Sequence, residues 1–190
     1  MIGLFGGTFD PIHHGHLITA QVVLEALGLE EMWFVPARQQ PFKTGQRHAP
    51  PEARARMVAA AIAGEPRFRL ERLELERPGP SYTVDTLRAL QAREPGRQFA
   101  LLVGADAAAD LPKWREAAEV AARARLVLFA RPGIAVPELP WPAAVVPIPA
   151  VEISATAIRA RVAAHLPIRF WVPDPVARII ESEGLYSSDA

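Results

Sequence analysis

The stretch that decides the fold is residues 6–16, which read Gly-Gly-Thr-Phe-Asp-Pro-Ile-His-His-Gly-His. It follows a short apolar run, residues 1–5, and precedes an amphipathic run, residues 17–27, so a strand is predicted to give way to a helix here. Gly6 and Gly7 let the backbone approach a ligand, and the free amides and positive dipole end of a helix attract anions. We therefore expect a phosphate site at this junction.

The histidines of this stretch are candidate phosphate donors. His13 and His16 are three positions apart at the predicted helix start, so both imidazoles are expected on one face. A zinc site is the alternative, because His-x-x-His is a possible ligand pair. The chain has no cysteine, and Asp10 is the only nearby carboxylate, which favours the phosphate interpretation. The stretch matches neither the dinucleotide-binding glycine pattern nor the P-loop pattern.

The whole stretch closely resembles the His-x-Gly-His signature of the nucleotidyltransferase superfamily, and in its full form that of bacterial nicotinate-nucleotide adenylyltransferases. A second superfamily signature, Ser-x-Thr-x-x-Arg, is matched by Ser154, Thr156 and Arg159. Residues 81–83 and 111–114 also resemble family segments, and the likeness runs from Met1 to about Tyr186. The resemblance implies adenylyl transfer from ATP to nicotinate mononucleotide, giving nicotinate adenine dinucleotide and pyrophosphate.

Composition limits the classes of function. The chain has 190 residues, 50% of them hydrophobic, which suits a single domain, 1–190, with a C-terminal helical segment, 154–186. Basic and acidic residues balance at 21 each, so net charge gives no case for nucleic acid or an anionic membrane. No apolar run approaches a membrane span and no signal pattern opens the chain, so a cytoplasmic enzyme is expected. Only Lys43 and Lys113 are lysines, which fits a thermophile or a GC-rich genome.

Apolar runs that alternate with helical patterns predict an α/β fold. After the first strand and helix, strands are expected at 32–35, 68–75, 99–103, 125–130 and 144–148. Helices are expected at 51–63, 84–93, 154–164 and 172–184. This order indicates a Rossmann-like, doubly wound, mostly parallel sheet with helices on both faces and a ligand crevice at the carboxyl ends of the strands.

Three segments near those strand ends carry candidate ligand groups. Asp106, after Gly104, could meet a ribose hydroxyl or magnesium, or could simply cap a helix. Trp114 could stack on a ring or pack ordinarily. Ser154 is predicted to cap a helix that presents Thr156 and Arg159 on one face, which suits polyphosphate oxygens, although a plain capped helix with a surface arginine is the alternative.

The resemblance assigns roles to these residues. It implies that His13, His16 and Arg159 are catalytic, with the histidines at the α- and β-phosphates of ATP and Arg159 at the β- and γ-phosphates. The residues expected to bind ATP are Gly6, Gly7, Gly15, His16, Gly104, Asp106, Ile153, Ser154, Thr156 and Arg159. Those expected to bind the mononucleotide are Thr8, Phe9, Lys43, Thr83, Trp114 and Arg115. Magnesium is expected to arrive bound to ATP, without a dedicated protein metal site.

Residues 37–51 are predicted to form a basic loop that serves either as a substrate clamp or as a solvated surface loop. Here the chain departs from the family: Ala37 and Arg38 stand where relatives commonly have asparagines, and Phe42 where many have histidine. One rival function is another adenylyl or cytidylyl transfer, such as phosphopantetheine adenylyltransfer, which residues 81–83 and Trp114 argue against. Another is a non-catalytic nucleotide-binding module, which the presence of His16 and Arg159 argues against.

Overall fold

A computed structural model describes residues 1–40 and 48–187 of the chain. The strands are β1 (Ile2–Gly7), β2 (Glu31–Pro36), β3 (Phe68–Leu70), β4 (Phe99–Gly104), β5 (Arg125–Ala130) and β6 (Ala143–Pro147). The helices are α1 (His14–Ala26), α2 (Pro51–Ile62), α3 (Leu73–Glu76), α4 (Thr83–Arg93), α5 (Ala105–Ala108), α6 (Ala117–Arg123), α7 (Ala155–Ala163) and α8 (Asp174–Ser182). A short 3-10 turn covers Leu111–Lys113.

The six strands form one sheet in the order β3-β2-β1-β4-β5-β6, and every neighbouring pair is parallel. This confirms the predicted doubly wound α/β fold. The winding reverses between β1 and β4, and in such sheets a crevice opens outside the carboxyl ends of the two strands at that point. Gly7 ends β1 and Gly104 ends β4, so the predicted phosphate loop begins at the crevice.

Side chains alternate across the two faces of the sheet because successive residues of a strand point in opposite directions. On one face, Phe5 and Phe34 pack with apolar residues of α1, α2 and α8. On the other, Leu4 and Trp33 pack with apolar residues of α4 and α6. Helices therefore cover both faces of the sheet, and their packing holds the strands that border the crevice in place.

The predicted strand over residues 68–75 is wrong beyond Leu70. β3 is an edge strand that pairs with β2 only, and the chain then leaves the sheet and forms the short helix α3. The Glu71 side chain accepts a hydrogen bond from the Leu73 backbone amide at 3.0 Å and pairs with Arg93. Glu71 and Glu74 are both buried, so these charged residues do not form the wet face of a strand.

Other predicted elements are present with shifted bounds. α1 begins at His14, three residues earlier than the amphipathic run, and therefore contains Gly15 and His16 in its first turn. The two helices predicted within the segment 154–186 are present as α7 and α8, each slightly shorter than expected. None of the helices among the described residues has the length and apolar character needed to cross a membrane.

Candidate active site

Two pockets adjoin each other at the carboxyl ends of β1 and β4. The larger cleft has a volume of about 550 Å³ and is bordered by the loop after β1, the start of α5 and the start of α7. The smaller pocket, of about 130 Å³, is bordered by the exits of β1 and β2, the start of α4 and the segment around Trp114. Gly7 and Gln40 line both, so the two pockets share a wall.

The two glycines that end β1 serve different purposes. A Cβ at Gly7 would come within 3.1 Å of the Phe9 ring, which is buried against Phe5 and Phe34. Gly7 is therefore needed for packing as well as for access. A Cβ at Gly6 would meet nothing within 4 Å, so this position does open towards free space. Phe9 itself has a φ of 49°, a left-handed backbone conformation that is unusual for a bulky residue and that turns the chain at the cleft.

His13 and His16 lie together, as their spacing predicts. Their rings stack with centroids 3.7 Å apart, and both line the larger cleft. Gly15 leaves room for this arrangement, because a Cβ there would lie 3.0 Å from His13 Nδ1. Burial lowers the pKa of His13 from 6.5 to about 4, with a smaller contribution from His14, so its imidazole is neutral at physiological pH.

The hydrogen bond that His16 makes sets its tautomer. Burial, followed by the neighbouring His13, lowers the pKa of His16 well below its usual range, so this imidazole is also neutral. Its Nδ1 lies 3.3 Å from the His13 backbone amide and accepts that proton, which leaves the ring's own proton on Nε2. His13 Nδ1 is buried and has no hydrogen-bond partner among the described residues. Such an atom is a natural contact for a ligand oxygen or water.

The second signature also lines the larger cleft. Ser154 caps α7 as predicted: its Oγ accepts the Ala157 backbone amide at 3.1 Å. Arg159 donates to Thr156 Oγ1 at 3.2 Å, which confirms that the two residues share a face. Ile153 also lines the cleft. A second donor of Arg159 bonds the Asp10 carbonyl at 2.7 Å, so this guanidinium joins α7 to the loop after β1.

Asp10 organises this region, a role that its sequence position alone did not reveal. Its carboxyl is 3% exposed and accepts hydrogen bonds from the Ala49 backbone amide at 3.1 Å and the Tyr186 hydroxyl at 2.6 Å. The second carboxyl oxygen lies 2.8 Å from His48 Nδ1. Burial and the adjacent Asp10 raise the pKa of Tyr186, so the phenol stays protonated and remains a donor. One buried acid thus ties the first loop to α2 and to the C-terminal segment.

Arg54 is the second residue that sequence reasoning missed. Its guanidinium is 1% exposed and donates to four backbone carbonyls, those of Thr8 at 2.6 Å, Ala37 at 2.8 Å, Ala49 at 3.1 Å and Arg38 at 3.2 Å. Burial lowers the pKa of this arginine. Thr8 lines the larger cleft and Ala37 the smaller pocket, so Arg54 fixes the walls of both.

Asp106 and Gly104 line the larger cleft. Asp106 is exposed and lies within α5, whose cap position is Gly104, so the helix-cap alternative is wrong. The Asp106 carboxyl folds back and accepts the Ala107 backbone amide at 3.0 Å. A Cβ at Gly104 would lie 2.5 Å from Asp106 Oδ1 and 3.3 Å from the Phe129 ring, so a side chain there would displace the exposed Asp106 carboxylate.

The smaller pocket collects Thr83, Trp114 and Arg115. Thr83 is the first residue of α4, and Trp114 is half-buried against the core beside the pocket. The Arg115 guanidinium stacks over the Tyr82 ring at 4.8 Å and lies 3.5 Å from Asp85. These contacts hold the tryptophan segment against α4.

Some predicted ligand residues lie elsewhere than their expected roles suggest. Thr8 and Phe9, expected at the mononucleotide phosphate, line the larger cleft, whereas Gly6, expected at ATP, lines the smaller pocket. Arg38 donates to the Leu75 carbonyl at 2.7 Å and so is directed towards α3. Lys43 and most of the predicted basic loop lie outside the described residues.

Carboxylates are scarce around the larger cleft. Asp10 and Asp106 line it, but both Asp10 oxygens already have protein partners. Within residues 1–40 and 48–187, no cluster of three or more histidine, aspartate or glutamate side chains could hold a metal ion. One exposed carboxylate fits a magnesium ion that brings phosphate and water ligands with it, because this ion usually takes few protein ligands.

The sequence and fold have well-matched relatives. A family model described as Cytidylyltransferase-like matches residues 4–161. The chain is 41% identical to the Bacillus subtilis protein named Nicotinate-nucleotide adenylyltransferase, over 98% of each chain. It is 46% identical to a Thermus thermophilus protein named "Probable nicotinate-nucleotide adenylyltransferase", over 97% of this chain and 98% of that one.

Among solved structures, the fold matches that of Plasmodium falciparum nicotinic acid mononucleotide adenylyltransferase complexed with NaAD. The TM-score is 0.80 at 20% identity, and the match covers 97% of this chain and 96% of the other. The structural match shows the shared fold, and the high identity to the bacterial relatives over nearly their whole length shows the family. The chain therefore belongs to the nicotinate-nucleotide adenylyltransferase family of cytidylyltransferase-like proteins.

Proposed function

We propose that this protein transfers the adenylyl group of ATP to nicotinate mononucleotide, giving nicotinate adenine dinucleotide and pyrophosphate. The observation that carries the proposal is the pair of pockets with one shared wall. The larger cleft has the size of a nucleotide site and presents His16 and Arg159, and the smaller pocket presents the flat ring of Trp114. The shared wall at Gly7 and Gln40 is where the acceptor phosphate would meet the α-phosphorus of ATP.

The proposed chemistry needs positioning and charge stabilisation rather than a protein nucleophile. A phosphate oxygen of the mononucleotide attacks the α-phosphorus, the bond from that phosphorus to the bridging oxygen breaks, and pyrophosphate leaves with that oxygen. The attacking phosphate is already ionised, so no general base is required. His16 Nε2–H and the Arg159 guanidinium supply donors to the phosphate oxygens on which charge develops.

Magnesium carried by the triphosphate is part of this proposal. It would supply charge neutralisation at the phosphates, and Asp106 is an exposed carboxylate of the larger cleft that could approach it or one of its waters. We also propose a cytoplasmic location, because both substrates are phosphorylated nucleotides that membranes retain inside the cell.

A preference for the acid mononucleotide over its amide is expected within this function. The groups around the smaller pocket that favour a carboxylate are backbone amides, at the start of α4 near Thr83 and around Trp114 and Arg115. Charge-assisted hydrogen bonds contribute about 1.5 to 3 kcal/mol each, so one or two of them correspond to roughly tenfold to thousandfold discrimination.

Pyrophosphate release from ATP, measured against a panel of acceptors, tests the proposal. Nicotinate mononucleotide is expected to support turnover, and phosphopantetheine is not. Turnover with phosphopantetheine alone would instead support the rival transferase activity. Tight ATP binding without turnover on any acceptor would identify a non-catalytic binding module.

A further inference from the structure

Glu74, in the short helix α3, places a carboxyl group in the wall of the smaller pocket. The residue is 8% exposed and lines this pocket together with Ser81, Thr83 and Trp114. An ionised carboxylate at this depth would normally require a close cationic partner. Within the described parts of the chain, Glu74 has no ion pair, whereas the nearby Glu71 pairs with Arg93.

The hydrogen bonds around Glu74 accommodate a neutral carboxyl. Thr86 Oγ1 lies 2.7 Å from Glu74 Oε1 and 3.3 Å from the Tyr82 carbonyl, and it accepts a hydrogen bond from Arg77 at 3.1 Å. A threonine hydroxyl has one proton and cannot donate to both oxygens. When that proton goes to the Tyr82 carbonyl, the carboxyl must be the donor in the short contact, and only its neutral form can donate.

The arginines around the smaller pocket are engaged with other groups. Arg77, at the end of α3, donates to the Thr86 hydroxyl and the Tyr82 carbonyl. Arg115, from the segment after the 3-10 turn, pairs with Asp85, and Arg38, from the exit of β2, donates to the Leu75 carbonyl.

Desolvation therefore dominates the ionisation of Glu74. Burial raises the pKa of the Glu74 carboxyl, and the hydrogen bonds from Thr86 and Ser81 and the charge of Arg77 oppose this effect only in part. The carboxyl thus remains neutral to a higher pH than an ordinary glutamate.

We propose that the proton on Glu74 determines whether the smaller pocket selects a pyridine carboxylate over a pyridine carboxamide. The inference rests on the proposed adenylyl transfer to a pyridine mononucleotide. While Glu74 is neutral, the pocket wall carries no negative charge from this residue, and an anionic ring substituent is accepted. Once Glu74 is ionised, it repels a substrate carboxylate in the pocket but does not repel the uncharged carboxamide. Glu74 is thus a specificity-determining residue.

The test compares two substrates over a range of pH. The specificity constants for nicotinate mononucleotide and nicotinamide mononucleotide are measured from about pH 6 to about pH 9, and their ratio is plotted. The two substrates share the same phosphate, so its titration cancels in the ratio. The wild-type ratio is expected to fall by on the order of tenfold or more as the pH rises and Glu74 ionises.

Two variants assign the change to this carboxyl. Glu74→Gln keeps the shape of the side chain and cannot ionise, so its ratio should stay at the wild-type low-pH value throughout. Glu76→Gln removes an exposed carboxylate two residues away on the same helix and should follow the wild-type curve.

The wild-type curve decides the matter even when a variant at a buried position does not fold. A wild-type ratio that is constant over this range overturns the proposal, and so does an equal fall in wild type and Glu74→Gln. Both results would leave the proposed function intact, because turnover is observed. Absence of turnover with either mononucleotide would overturn the proposed function itself, and this inference with it.

Discussion

The hydroxyl of Tyr186 donates to Asp10 Oδ1 across 2.6 Å and joins two residues that are 176 positions apart in the chain. The same aspartate accepts Arg159 through its backbone carbonyl, so the C-terminal segment supports the first loop and the second signature together. This relationship connects the stability of the fold to the geometry of the larger cleft.

Tyr186→Phe is expected to destabilise the protein by about 1 to 3 kcal/mol, because a buried carboxyl loses a donor while its desolvation remains. The free energy of unfolding from urea denaturation measures this loss. Ser187→Ala is the matched control, since it also removes a hydroxyl that donates a hydrogen bond, to the Gly184 carbonyl, but an exposed one. Equal losses of unfolding free energy in the two variants would show that the hydrogen bond to Asp10 stabilises the fold no more than an exposed one does.

His16→Ala is expected to lower kcat by roughly a hundred- to thousandfold, the range for removing one preorganised donor from a developing charge. The neutral ring with its proton on Nε2 is the basis of this expectation. His14→Ala serves as the control, because His14 is half-buried and does not line the larger cleft. If His16→Ala turned over at the wild-type rate with saturating substrates, the catalytic role assigned to His16 would be wrong.

Stability should decrease in acid because of His13. Its pKa is lowered by burial from 6.5 to about 4, so between these values the unfolded chain binds a proton that the folded chain does not. The stabilising effect of the neutral His13 on the free energy of unfolding is fully present above about pH 6.5 and is lost as the pH falls towards 4. The total loss is roughly 3 kcal/mol. Urea unfolding at about pH 7 and about pH 4.5 should show a clearly smaller acid loss for His13→Gln than for wild type. Identical losses would contradict the burial of an uncharged His13.

Much of the fold follows from local patterns in the sequence. The apolar runs, the glycine-rich turn and the Ser154 cap depend on neighbours within a few residues, and the structure has a strand, a loop and a capped helix at those positions. The strand prediction for residues 71–75 is wrong because alternation of charged and apolar residues also fits a short helix once the edge strand ends at Leu70. Pattern alone could not show which of those charges would be buried.

The residues that support the site were not predictable, because their roles arise from distant contacts. Arg54 reads as one of several arginines on an amphipathic helix, yet its acceptors lie up to 46 positions away. Glu74 reads as a solvated charge, yet it is buried and forms a hydrogen bond with Thr86 of α4. Such partners depend on how the elements pack, and patterns among neighbouring residues of a single sequence do not reveal contacts between distant segments.

Arg54→Lys is expected to destabilise the protein by about 2 to 4 kcal/mol, since an ammonium cannot reach four carbonyls that a planar guanidinium bonds together. KM should rise for both substrates in the folded fraction, because Arg54 fixes the walls of both pockets. Arg56→Lys, an exposed change on the same helix, should stay within about 0.5 kcal/mol of wild type. Loss of stability with unchanged KM values would limit Arg54 to a purely structural role.

The central claim is that this chain joins an adenylyl group to nicotinate mononucleotide. Its most direct test is to incubate the purified protein with ATP, magnesium and nicotinate mononucleotide and to quantify both products. We predict that nicotinate adenine dinucleotide and pyrophosphate form in equal amounts, with neither formed when the mononucleotide is omitted. Pyrophosphate formed without the dinucleotide, or no reaction by a folded protein that binds ATP, would contradict it.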